Sequence, residues 1–330
     1  MLINLHTHLE GRVRPATAAE LAARSGIPEP DGGWERAIEL DEPADLTAYL
    51  AKVSRTYPFF RTAETLARIT REAVEDAAAD GQDYLELRFG PATHTHDSFG
   101  LDDVIAAALD GLHDGIRATG MPAALVVAAL RHHSPELNED VARAAAKRAG
   151  DGVTGFDLAG DELLYPDVAP YADAFGIARA AGLGVTCHAA EAGPGRHAQD
   201  AVRLLGATRI GHGTHIADDP EVLRWAADHG VVVEICPTSN RYTGATPALD
   251  QHPAPRFLTA GIPLVLGDDN PVQTRSPLSA EARLLTDTLS FTPRDRAALD
   301  ATSIAAAFMD DSVRRDLLTR LGDRARTEAT

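Results

Sequence analysis

The chain has 330 residues, 44% hydrophobic and 24% charged, with a formal net charge of -18. That acidity excludes binding to nucleic acid or an anionic membrane surface by bulk attraction, which needs a basic surface. The totals are those of a globular protein, and α/β barrels commonly occupy this length as one unit, so residues 1–330 are expected to form a single domain. No amino-terminal stretch has signal-peptide order, and no apolar run approaches membrane-spanning length. Cys187 and Cys236 form no C-x-x-C pair. They offer at most one disulfide, and a reducing, cytoplasmic setting is the expectation.

Along the chain, short apolar runs alternate with Ala/Leu/Arg-rich segments of helical period. The first predicted strand, Leu2–Leu5, runs into His6-Thr7-His8-Leu9-Glu10-Gly11. Alternate strand residues face the same side, so His6 and His8 share a face. That suits a metal ion, although His-x-His alone also occurs on ordinary surfaces. An unusually long connection from Gly11 to about Asp83 follows, with room for two or three helices. Further strands are predicted at Tyr84–Phe89, Ala123–Leu130, Val153–Leu158, Gly184–His188, Arg209–Gly211, Val231–Cys236 and Pro263–Gly267. Helical segments such as Ala63–Asp80, Glu139–Ala149 and Pro220–His229 separate them. Leu278–Leu289, Pro293–Phe308 and Asp311–Leu321 read as extra carboxy-terminal helices (278–322) packed around the outside. Eight strands alternating with helices predict a TIM-type (β/α)8 barrel.

Barrel enzymes carry their chemistry at the carboxyl ends of the strands. Those ends read His6-Thr7-His8-Leu9-Glu10, Asp157-Leu158-Ala159-Gly160-Asp161-Glu162, His188-Ala189-Ala190-Glu191, Gly211-His212-Gly213 and Gly267-Asp268-Asp269-Asn270-Pro271. Three neutral imidazoles plus a carboxylate, with one position open for water, make a catalytic zinc site. His6, His8 and His188 are the candidate imidazoles, and an acid of the eighth strand is the remaining candidate ligand; periodicity does not say which. Bound zinc lowers the pKa of its water to about 7. Glu191 is either a first-turn acid that suits a helix dipole or a proton donor of raised pKa. His212, between two glycines, is either structural or an electrostatic guide or base. His94 and His96 sit in a predicted polar loop and His132 and His133 close the third strand; neither pair is read as a metal site. His113 and His229 are read as solvated or core-edge helix residues.

HTHLEG, FDLAGDE, CHAAEAG, RIGHGTHI, EICPTSN and GDDNP stand in the order and spacing of the adenosine deaminase family, which the chain resembles over nearly its whole length. YLELRFGP and DLTAYLAKVSRTYPFFRTAETLARI extend the likeness. The cytidine-deaminase pattern, H-x-E with P-C-x-x-C, is absent. The resemblance implies one zinc ion per chain on His6, His8, His188 and a strand-eight aspartate. It further implies that Glu191 protonates the purine ring nitrogen, that His212 orients the attacking hydroxide, and that the same aspartate helps deprotonate the water. The Gly160 amide would contact the purine, and His8 would border the substrate. The first connection (about 12–62) would form a helical lid, with Leu46, Tyr49, Leu50 and Val53 as an apolar wall. The usual strand-eight signature is Asp-Asp-Pro, whereas this chain has one acid more. Family spacing puts the metal ligand at Asp269 and the substrate contact at Asn270; the register with Asp268 on zinc and Asp269 on substrate needs an insertion. Glu10 replaces the aspartate common in adenosine deaminases and resembles the subgroup acting on adenine or other 6-aminopurine derivatives. The reaction implied is hydrolytic deamination of a small 6-aminopurine, adenosine to inosine and ammonia first. Adenine, 6-aminodeoxyfutalosine or another modified adenosine is the alternative, and a related metal-dependent barrel hydrolase the competitor outside the family. Homo-oligomer formation is left open.

Overall fold

The computed structural model describes residues 1–328. Its eight strands are β1 (Ile3–His8), β2 (Tyr84–Phe89), β3 (Ala123–Leu130), β4 (Val153–Ala159), β5 (Gly184–Ala189), β6 (Arg209–His212), β7 (Val232–Ile235) and β8 (Leu264–Leu266). They pair in sequence order, each parallel to the next. Helices cover the outer face, which leaves strands such as β3 (AALVVAAL) buried on both sides, as parallel sheets require. Closure is made beyond the end of β8. His8 N donates to Asp269 O at 2.8 Å and Asp269 N donates to His6 O at 2.9 Å. The peptide that completes the barrel therefore also sets Asp269 between His6 and His8.

Element limits differ from the sequence reading where a neighbour decides them. β1 runs on to His8 because Thr7 and His8 find partners in Leu87 and Arg88 of β2. The first connection holds helices Pro15–Ser25, Gly33–Ile38 and Leu46–Val53 ahead of Ala63–Ala79. The carboxy-terminal helices are Leu278–Asp287, Pro293–Ala306 and Asp311–Glu328. The expectation that they only surround the outside is corrected by Phe308. Its ring lies over Arg209, 3.7 Å from Cζ, and a Cβ on Gly184 or Gly155 would meet it at 2.1 or 2.6 Å. Ile304, Ala307 and Met309 pack with Met1, Ile3 and Leu5. The chain end thus seals the amino-terminal mouth, opposite the predicted chemistry.

The barrel interior is not a stack of apolar layers. Glu86, Arg88, Asp157, Arg209 and Glu234 are all fully buried within it. Arg88 pairs with Asp157 at 3.1 Å and with Glu234 at 3.0 Å; Arg209 pairs with Glu234 at 2.7 Å and with Glu86 at 2.6 Å. Buried charge is tolerated only when paired and hydrogen-bonded, and here every guanidinium meets two carboxylates. Both cysteines are buried and unpaired. No helix among the described residues is long and apolar enough to cross a membrane.

Candidate active site

The strand ends bring the histidines together. The His6 ring lies 4.6 Å from those of His188 and His212 and 5.5 Å from that of His8. Glycine makes room for it: a Cβ on Gly267 would meet His6 at 2.4 Å and one on Gly211 at 2.9 Å. Among the described residues, two overlapping sets have ligand atoms close enough to share an ion: His6, His188 and His212, and His6, His8 and Asp269.

Hydrogen bonds decide which ring nitrogens are free. His6 Nδ1 lies 2.6 Å from Glu234, and its buried Nε2 has no hydrogen-bond partner. His188 Nδ1 is 3.0 Å from Asp157. A carboxylate on Nδ1 holds the proton there and leaves Nε2 as a lone pair, the usual support of a metal-binding histidine. Nε2 of His8 and His188 face each other at 3.1 Å. Burial drops the His8 pKa to about 3, so this imidazole is neutral. A buried orphan nitrogen, two opposed imidazole nitrogens and a carboxylate within 4 Å fit a divalent cation.

His212 is held in the other tautomer. Ala254 N donates to His252 Nδ1, so His252 Nε2 carries the hydrogen and donates to Asn240 Oδ1 at 3.1 Å. Asn240 Nδ2 then donates to His212 Nδ1 at 3.0 Å. The proton of neutral His212 is left on Nε2, 3.7 Å from Glu191. In that form the nitrogen is a donor and not a ligand, so the set fitting an ion is His6, His8, His188 and Asp269.

The two acids of GDDNP point to different places. Asp268 pairs with Arg12 at 2.6 Å, and both side chains are buried. Asp269 Oδ1 lies 3.4 Å from His8 Nε2 and 3.7 Å from His6 Nε2. Its Oδ2 accepts from Ser239 and, at 2.9 Å, from Tyr49, so this tyrosine of the first connection gives the acid a polar contact beyond the expected apolar wall. Asn270 Nδ2 donates to Asp269 Oδ1 at 2.8 Å, so the amide aimed at substrate in the sequence reading is partly committed to its neighbour. Burial opposes a charge on Asp269, but His6 and the surrounding histidines hold its pKa well below the usual range.

Glu191 is buried with Thr243 as donor at 3.0 Å. Burial, reinforced by the charge of Asp269, pushes its pKa up to about 8. It therefore holds a proton at neutral pH. Ala190, His212 and Asp269 all adopt positive φ, at 55°, 63° and 55°. This conformation costs a non-glycine residue roughly 1–2 kcal/mol, and its concentration at three strand ends marks the place where the fold bends its backbone to aim side chains.

These groups share a chamber of about 430 Å³. His8, His188, His212, Asp269, Glu191 and Asn270 line its depth, Gly160 and Glu10 its walls, and Leu46, Tyr49, Leu50 and Val53 of the first connection another side. Glu10 Oε1 accepts from Gly90 N at 3.1 Å and from His94 Nε2 at 3.0 Å. His94, read from sequence as a polar-loop residue, is thus buried beside the site. Sequence reasoning gave no role to Glu234, Asp157, Asn240, His252 and Glu162, although it placed Asp157 and Glu162 at the end of the fourth strand. For Glu234 and Asp157 the signal was a single acid inside an apolar strand; Glu162 and Asn240 close the motifs FDLAGDE and EICPTSN, which do not show what they bind, and His252 carries no local signal.

A closed parallel barrel with histidines and carboxylates converging at its carboxyl-terminal mouth defines a metal-assisted barrel hydrolase. The profile of the family described as adenosine deaminase matches residues 2–324. The chain is 33% identical to an adenosine deaminase of Enterococcus faecalis over 98% of this chain and 96% of that one. Among solved structures it resembles an adenine deaminase of Arthrobacter aurescens (TM-score 0.90, 26% identity, 98% and 99% coverage). It also resembles an amidohydrolase of Burkholderia ambifaria with bound zinc (TM-score 0.87, 27% identity, 99% and 92% coverage). The chain belongs to the adenosine deaminase family and is an aminopurine deaminase.

Proposed function

We propose that the chain hydrolyses the exocyclic C–N bond of a 6-aminopurine nucleoside, adenosine first, giving inosine and ammonia. The observation that carries this reading is a buried carboxylic acid, Glu191, with its pKa pushed up to about 8, lining the same chamber as His8, His188 and Asp269, which with His6 behind them fit a divalent cation. Zinc held by those four residues would supply a coordinated water acidified to a pKa of about 7.

The chain's own groups account for the remaining requirements. Glu191 donates its proton to a ring nitrogen, which makes the amino-bearing carbon electrophilic. His212 presents Nε2–H towards the oxygen being added and orients it. Asp269, already holding two hydroxyl donors, receives a proton from the water. The C–O bond forms, Asp269 passes the proton it took from the water to the amine, the C–N bond breaks with loss of ammonia, and the added hydroxyl gives up its own proton to restore Glu191 as it becomes the carbonyl. Gly160 and Asn270 border the purine, and Glu10, with Oε1 occupied by Gly90 and His94, offers Oε2 to a donor on the substrate. Among the described residues no lysine or arginine lines the chamber, whereas Glu10 and Asp161 do. A phosphate group would find no counter-charge there, which favours a nucleoside or base over a nucleotide.

Free adenine is the second reading, favoured by the adenine deaminase likeness of the whole fold. Ammonia release from zinc-loaded protein, measured in parallel on adenosine, adenine and AMP, tests both. Turnover of adenosine with AMP inert is the expected result. Turnover of adenine alone selects the second reading, and inertness on every 6-aminopurine overturns the proposal.

A further inference from the structure

The loop that carries Glu191 is gripped by one carboxylate on another strand. Glu162 follows β4, and its Oε1 accepts from Ala190 N at 2.7 Å. Its Oε2 accepts from Glu191 N, Ala192 N and Gly193 N, each at 3.0 Å. His197 Nδ1 lies 2.8 Å from Oε1 as a fifth partner. Four consecutive main-chain N–H groups thus converge on a buried side chain 28 to 31 residues earlier in sequence. Gly193 fits this arrangement, because a Cβ there would meet His197 at 2.5 Å and Glu162 at 2.8 Å. Ala190 starts the turn at φ 55°, a conformation that a free alanine avoids.

The gripping side is itself anchored. Asp161 Oδ1 caps Leu163 N at 2.9 Å and Leu164 N at 3.1 Å, and its Oδ2 accepts from Thr47 of the helix Leu46–Val53 at 3.0 Å. Glu162 has no atom lining the chamber. Its capacity is spent on the backbone around Glu191 and on His197.

We propose that Glu162 is the positioning residue for the acid: by collecting the N–H groups of 190–193 it forces the turn that points the Glu191 carboxyl at the substrate ring. A neutral group could not replace it. The side-chain amide of glutamine would turn an N–H donor towards at least one of the main-chain donors, leaving it buried and unsatisfied. The buried Glu162 carboxylate remains ionised because His197 and the N–H groups of Gly193 and Ala190 hold its pKa down to about 2 against the effect of burial.

The inference rests on the reading of Glu191 as the acid, and the experiment separates the two. Glu162→Gln, His197→Gln and Glu191→Gln are prepared as zinc-loaded full-length proteins and assayed on the turned-over 6-aminopurine from pH 5 to 10. A displacement of about 1 Å costs on the order of 100-fold, so Glu162→Gln is expected to lower kcat about 100-fold. KM should stay within about threefold, with zinc content unchanged. Removing the nearby anion should also move the alkaline limb of the rate profile to lower pH, which a purely structural role would not do. His197→Gln leaves the four main-chain bonds in place and should cost about 10-fold in kcat; it is the deciding variant if Glu162→Gln does not fold. Loss of turnover in Glu191→Gln with kcat near wild type in both clamp variants overturns the positioning role. Turnover kept in Glu191→Gln overturns the acid assignment instead.

Discussion

Replacing Glu191 by glutamine isolates the proton without disturbing its surroundings. At neutral pH the wild-type side chain is uncharged, since burial lifts its pKa to about 8. The glutamine amide has the same charge and nearly the same volume. Its carbonyl oxygen still accepts from Thr243, whose hydroxyl is 3.0 Å away. Folding and ground-state binding should therefore change little, and the metal should stay, because Glu191 is outside both sets of potential ligand atoms. What is lost is the transferable proton. General acid catalysis contributes roughly 10²–10⁴-fold, about 2.7–5.4 kcal/mol of barrier at 1.36 kcal/mol per tenfold. Ammonia release should fall by that factor while KM and zinc content, read by plasma emission on the same samples, remain near wild type. A variant that keeps kcat within threefold refutes the assignment of the acid. One that loses zinc in proportion to activity shows that Glu191 is a ligand.

Three further outcomes follow from the same geometry. Asp269→Ala should empty the metal site, whereas Asp268→Ala should retain zinc and lose about 3 kcal/mol of stability through its orphaned partner Arg12, read as a drop in the denaturant midpoint. The rate should fall as pH rises through the Glu191 pKa, since the protonated form is the active one. That alkaline limb should stand no higher than about pH 8, because a bound cation favours the carboxylate, and Glu191→Gln should abolish it. Asn240→Ala frees His212 from its fixed tautomer and should cost roughly 10–100-fold in kcat at unchanged metal content; an unchanged kcat would show that the relay from His252 is idle.

The eight-strand rhythm was legible because parallel strands are near-continuous apolar runs closed by polar residues, a pattern that local composition records. The residues at their ends were legible for the same reason: His188 and His212 each stand where such a run stops. Other features depend on neighbours far away in sequence. β1 reaches His8 only because β2 and the segment after β8 pair with it. The divergent aims of Asp268 and Asp269 follow from a positive φ at 269 and from Arg12, neither visible in GDDNP itself. Glu162 stood in a motif that was read, yet its task is carried by the main chain of another loop. The seal made by Phe308 needs two glycines on strands more than 120 residues earlier. Composition marked that segment as helical and nothing more.

The account stands on four side chains from β1, β5 and the segment after β8 holding one ion, and locating that ion tests it most directly. Anomalous diffraction at the zinc edge from zinc-soaked crystals should give one peak per chain, about 2.0–2.2 Å from Nε2 of His6, His8 and His188 and from an Asp269 oxygen. A peak bound through Asp268, or no peak within reach of these imidazoles, would contradict it.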